Sequence, residues 1–107
     1  MSMARLPKRY VKFFEDFPEV GKAYEAYGSA VAEAGPLDEK TRCLVKLAMS
    51  IAARSEGGAK SHAHKAVQAG ASAQEVRHVA LLAAPTLGFP HMMAGLSWVD
   101  AVLEDEA

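Results

Sequence analysis

The sequence has little of what usually staples, spans or charges a small protein. Its 107 residues hold one cysteine, Cys43, so no internal disulfide can form, and no Cys/His set has zinc spacing. Both staples of a small secreted domain are thereby excluded. No run approaches the ~20 apolar residues of a membrane span. The stretch from Tyr10 to Asp16, after the basic first nine residues, is charged every few positions and is unlike the apolar core of an export signal. The expected location is therefore cytoplasmic and reducing. Charge is balanced, with 12 Lys plus Arg against 13 Asp plus Glu and a net charge of −1, so neither nucleic acid nor membrane is an expected partner. Aromatic residues make up only 7%, which argues against a sheet built from aromatic and β-branched residues.

What the chain does have is alanine, 21 residues of it, within a composition that is 50% hydrophobic. Alanine is the best helix former and lets helices approach closely, so the expected class is all-α. The length allows one domain, 1–107, with an N-terminal arm at 1–17 and a frayed acidic tail at 105–107. A domain of this size buries only about two-thirds of the surface of its unfolded chain. With no disulfide or metal available, self-association is the expected remedy.

Five or six helices follow from the pattern. Residues 18–34 carry Val20, Ala23, Tyr24, Tyr27, Ala30, Val31 and Ala34 at amphipathic spacing, with Pro18 in the first turn and Gly35-Pro36 as the stop. A second helix begins after Asp38, its N-cap, and is apolar on nearly every side from Leu44 to Ala53, the pattern of a central buried helix. Gly57-Gly58 reads as an irregular turn. A third helix spans 59–69 and stops at Gly70. Ser72 and Glu75 form a capping box for a fourth helix, which Pro85 kinks or shortens. A fifth begins near Pro90 and presents Met92, Leu96, Val99 and Leu103 to the core.

Candidate chemistry concentrates at Ser55 to Gly70. His62 and His64 are two residues apart, hence about 200° apart on a helix, and cannot chelate one ion, so no metal site is expected. Alanines surround His62 on its stripe, whereas His64 shares a polar side with Lys60 and Lys65, so His62 is expected to face inward and His64 to be solvated. His62 is either a structural imidazole or a general acid/base working near neutrality. Glu56 either orients it or simply complements the helix dipole. Arg42, Cys43 and Lys46 meet the same pocket if the second and third helices form an antiparallel hairpin. Met92, Met93 and Trp98 read as core or subunit interface, and His78 and His91 have no evident partner.

Several features, in order, resemble the carboxymuconolactone decarboxylase family, which includes the alkylhydroperoxidase D type proteins. They are Leu37-Asp38-Glu39-Lys40-Thr41-Arg42, the apolar helix Leu44 to Ala53, His62 with Gly70-Ala71-Ser72 eight residues on, Glu75-Val76, and Gly88-Phe89-Pro90. The resemblance implies an alkylhydroperoxidase D-like helical domain assembled as a homotrimer or homohexamer, with a site near a subunit boundary. The peroxide-reducing branch carries a Cys-x-x-Cys pair seven and four positions before its histidine and a glutamate twelve before the first cysteine. Ser55, Gly58 and Cys43 stand at those positions here. A dithiol cycle needs two sulfurs within reach, so a thiol peroxidase is the disfavoured alternative. In the decarboxylase-like branch an adjacent Arg-Glu precedes the histidine, whereas Arg54 and Glu56 here flank Ser55. Ala94 replaces a further histidine of the last helix. The resemblance then implies a cofactor-free enzyme for a lactone or small organic acid. His62 and Glu56 would be catalytic, with Arg42, Cys43, Lys46 and Ser55 binding substrate. A non-catalytic ligand-binding or scaffold role is the remaining alternative.

Overall fold

Local hydrogen bonding sets the helix ends in the computed structural model, which describes residues 8–106. Seven helices occur among these: α1 (Lys8–Asp16), α2 (Pro18–Glu33), α3 (Glu39–Ala52), α4 (Glu56–Gln68), α5 (Ala73–Leu81), α6 (Ala83–Leu87) and α7 (Phe89–Glu106). The all-α class holds. The nine residues of α1 belong to the segment expected to be an arm, and residues 1–7 of that arm lie outside the described residues. α7 continues through Glu106, so the acidic residues at 105 and 106, expected to fray, stand on a helix.

The caps are those the sequence specifies. Asp38 Oδ1 accepts from the Thr41 amide at 2.8 Å, and Ser72 and Glu75 form the reciprocal capping box of α5. α4 ends in a Schellman motif: Gly70, at φ 101°, donates to Val67 O at 3.0 Å, and Ala71 donates to Ala66 O at 2.9 Å. Pro85 lies where α5 and α6 separate after Leu82, because its ring cannot supply the donor that one continuous helix needs there.

The glycine pair behaves differently from the expectation. Gly57 and Gly58 lie inside the first turn of α4, and the irregular backbone falls on Arg54, at φ 58°. Ser55 caps α4 by accepting from the Gly58 amide at 3.1 Å. A Cβ at Gly58 would lie 2.7 Å from Ser55 Oγ and 2.9 Å from Ser50 Oγ. The residue is therefore needed for close approach of α4 to the end of α3, not for a turn.

α4 occupies the centre, with α3 and α7 packed along it. Ala59, Ala63 and Ala66 are fully buried and allow both neighbours to come close. Leu47 and Ile51 from α3, Val76 and Ala80 from α5, and Met92, Val99 and Leu103 from α7 complete the core. This corrects the assignment of α3 as the central helix. α3 buries only Leu47 and Ile51, and its Val45 and Met49 are exposed on the protomer. Its apolar surface extends beyond the side that the other described helices bury.

Candidate functional site

The α3–α4 hairpin brings four ionisable groups into one field. Cys43 and Lys46 stand one turn apart on α3, and His62 and Lys65 stand one turn apart on α4. The charges of Lys46 and Lys65 both bear on His62 and on Cys43, as the packing of α3 against α4 allows.

His62 is half-buried, and its Nδ1 is enclosed without a hydrogen-bond partner. Loss of hydration, then the charges of Lys65 and Lys46, lower its pKa from 6.5 to about 4. The ring is thus neutral at pH 7. Cys43 is shifted the other way: burial, aided by Glu39, raises its thiol pKa against the pull of Lys46, Lys65 and Arg42. It is a protonated thiol at neutral pH, not an activated thiolate.

Lys65 is held from a third helix. Its Nζ donates to the Tyr10 hydroxyl at 3.0 Å and lies 4.9 Å from the centroid of the same ring. Neither Lys65 nor Tyr10 is among the site residues read from the sequence. Their signals were the i+3 spacing from His62 and the apolar i, i+3, i+4, i+7 run Tyr10, Phe13, Phe14 and Phe17. Arg42 uses Nη1 to donate to the Leu37 carbonyl. Together with Lys46 it also edges a groove of about 320 Å³ between α2 and α3.

Glu56 and Ser55 are not drawn to His62. Six residues on a regular helix amount to about 9 Å of rise and a different face. Glu56 pairs with Lys60 at 2.8 Å, and the Ser55 hydroxyl is occupied as the cap of α4.

His64, expected to be solvated, is 1% exposed. The side of α4 about 200° from His62 is covered by the protein interior, so its polar neighbours in sequence misreport its surroundings. His91, with no evident partner in sequence, is also buried, and its ring Nε2 donates to the Ile51 carbonyl at 2.5 Å. That bond ties the start of α7 to the last turn of α3. Among the described residues no three His, Cys, Asp or Glu side chains converge as a metal-ligand group. No described helix is long and apolar enough to cross a membrane.

The carboxymuconolactone decarboxylase family model matches residues 18–101. This chain belongs to that family. Solved members of the carboxymuconolactone decarboxylase family share its fold. One, the apo form of a family protein from Legionella pneumophila, superposes with a TM-score of 0.75 at 24% identity over 92% of this chain and 88% of its own. Another, from Thermotoga maritima and described with a possible role in antioxidative response, gives a TM-score of 0.68 at 27% identity over 92% and 93%. A curated relative, an uncharacterised protein of Haemophilus influenzae, is 40% identical over 63 residues, covering 59% of this chain and 56% of that protein. The match thus spans little more than half of that relative's length.

Proposed function

We propose that this family member is a cofactor-free acid–base enzyme for a small organic acid or lactone, with His62 as the proton carrier. The supporting observation is the neutral, half-buried imidazole whose enclosed Nδ1 lacks a partner and which lies in the field of Lys46 and Lys65. A substrate carboxylate or enolisable carbonyl oxygen takes its place beside the two ammonium groups. Its negative charge offsets theirs, and the His62 pKa rises from about 4 towards its ordinary 6.5. The imidazole then accepts a proton from the carbon next to the carbonyl, and the electron pair moves onto the carbonyl oxygen, where the lysines stabilise it. Return of the proton to the same or a conjugated carbon completes the turnover. Tyr10 positions Lys65, and the protonated thiol of Cys43 forms part of the wall. Arg42 serves substrates long enough to reach the groove between α2 and α3.

The test is solvent deuterium exchange into a panel of small oxo-acids and γ-lactones, followed by NMR. Exchange in the presence of the wild-type chain is expected to disappear in His62→Ala with the far-UV circular dichroism unchanged. Exchange that survives in His62→Ala removes the histidine from the chemistry. Panel compounds that bind without exchange favour the ligand-binding alternative.

A further inference from the structure

One stripe of α3 carries both charge and apolar surface. Arg42, Val45, Lys46 and Met49 recur at i, i+3, i+4 and i+7, so they share one side of the helix. α2 and its connection to α3 add Val31 and Leu37, and the six residues line one groove of about 320 Å³. Its four apolar side chains are exposed on the protomer. Ala32 and Gly35 line it too, and a Cβ at Gly35 would meet nothing within 4 Å, so the glycine leaves space there rather than avoiding a clash. The two cations are not spent on the protein's own carboxylates. Among the described residues neither Arg42 nor Lys46 is in an ion pair, whereas Lys40, Lys60 and Arg77 each are. Asp38 feels the charge of Arg42, but its carboxylate is taken by the Thr41 amide. Arg42 gives one of its five N–H groups to the Leu37 carbonyl, which holds the guanidinium at the groove.

We propose that this groove holds the aliphatic tail of an amphipathic monocarboxylate, a medium-chain acid whose carboxylate lies at Lys46 and Arg42. The walls and the cations together select that chemistry. A wholly apolar occupant would take water from the two cations without pairing them, and a sugar or a second carboxylate would set polar atoms against Val31, Leu37, Val45 and Met49. A single carboxylate pairs the cations by charge-assisted hydrogen bonds and leaves the rest of the groove to methylenes. Volume limits the length. At roughly 30 Å³ for each non-hydrogen atom, the share of a water molecule in the liquid, the groove of about 320 Å³ holds about ten such atoms, the number in octanoate. The inference deepens the proposed function and rests on it at one point. Lys46 edges the groove and also bears on His62, so an acid seated at Lys46 with its tail in the groove has its carboxyl end turned to the proton-transfer site. The substrate class becomes the medium-chain α-oxo acid, with the plain alkanoate as a ligand that binds without reacting.

Binding and chemistry are tested apart. Isothermal titration calorimetry of the full chain with butanoate, hexanoate, octanoate and decanoate, each below its micellar concentration, is expected to show affinity rising about three- to four-fold per methylene up to octanoate and levelling off at decanoate. Octanol is expected to bind about ten-fold more weakly than octanoate, and Lys46→Met to remove most of that preference. Gly35→Leu fills space that the protomer leaves open, so it is expected to weaken octanoate by about ten-fold and leave butanoate unchanged, with circular dichroism as in wild type. Affinity that ignores chain length, or that is equal for octanol and octanoate, overturns the proposal. So does octanoate binding indifferent to Gly35→Leu, which assigns the groove to another occupant such as a second copy of the chain. Deuterium exchange into the α-oxo derivatives separates the two readings. Chain-length-dependent binding with no exchange into the α-oxo derivative of octanoate keeps the groove and removes the proton chemistry. Exchange that is no faster for that compound than for the α-oxo derivative of butanoate keeps the chemistry and overturns the groove as its substrate site.

Discussion

His62 is neutral across the physiological range because a half-buried ring loses hydration while Lys65 and Lys46 disfavour a third positive charge beside them. Burial is the larger cause and the lysines the smaller, so the two are separable by substitution. Lys65→Met retains most of the stem that packs there and removes the charge. The His62 pKa, followed by NMR of the ring protons, is expected to rise from about 4 towards 6.5 without reaching it. An unchanged value means that the lysine field does not act on the ring. The same substitution frees Tyr10, whose hydroxyl accepts from Lys65 at 3.0 Å and joins α1 to α4.

At the scale of the element, boundaries come from hydrogen bonds made within a few residues. Gly70 isolates one such effect. It sits at φ 101° at the end of α4, and a Cβ there meets nothing within 4 Å, so a substitution is felt by the backbone alone. Gly70→Ala is expected to cost about 1 kcal/mol, the penalty of a left-handed conformation for an L-residue. Urea unfolding monitored by circular dichroism measures it, and a neutral effect would show that the Schellman motif relaxes without loss. Such local features were legible in the sequence: Asp38, the Ser72–Glu75 box, Gly70 and Pro85 all mark the ends they were read to mark. Gly58 was misread because the atoms that require a glycine there include Ser50, on the preceding helix, and no local pattern reports that approach.

For the whole molecule, α3 to α7 form a body around α4, and α2 packs mainly on α1. The radius of gyration of 13.9 Å exceeds the roughly 13 Å of a compact chain of this length, which fits a helical hairpin with an open face. Global stability is linked to His62. Its folded pKa of about 4 lies below the unfolded 6.5, so between these values the unfolded chain binds a proton that the folded chain refuses. Stability is therefore complete above about pH 6.5, falls as pH drops towards 4, and gains no further loss from this residue below that. Because the ring is only half-buried, about 1–2 kcal/mol is expected after solvent screening. The difference between wild type and His62→Gln, from urea unfolding across the pH series, isolates it. A difference that does not vary with pH would show that the ring titrates alike in both states.

The sequence by itself determined the helical class, most helix ends, His62 as the residue to examine and the family resemblance, because caps, breakers and motif spacing are encoded within a few positions. Only the tertiary structure decided which histidine is hidden. The alanines of α4 form one stripe, beside which periodicity sets His62, but the other helices bury α4 beyond that stripe and hide His64 as well. The same holds for Tyr10 and Lys65, which are 55 residues apart in the chain and meet only once α1 is placed. It holds also for α2, whose apolar seam reads in sequence as an ordinary core face. Burial is a property of what comes to lie against a helix, and among the described residues α1 meets only the Phe17 end of that seam, leaving Tyr27 70% exposed.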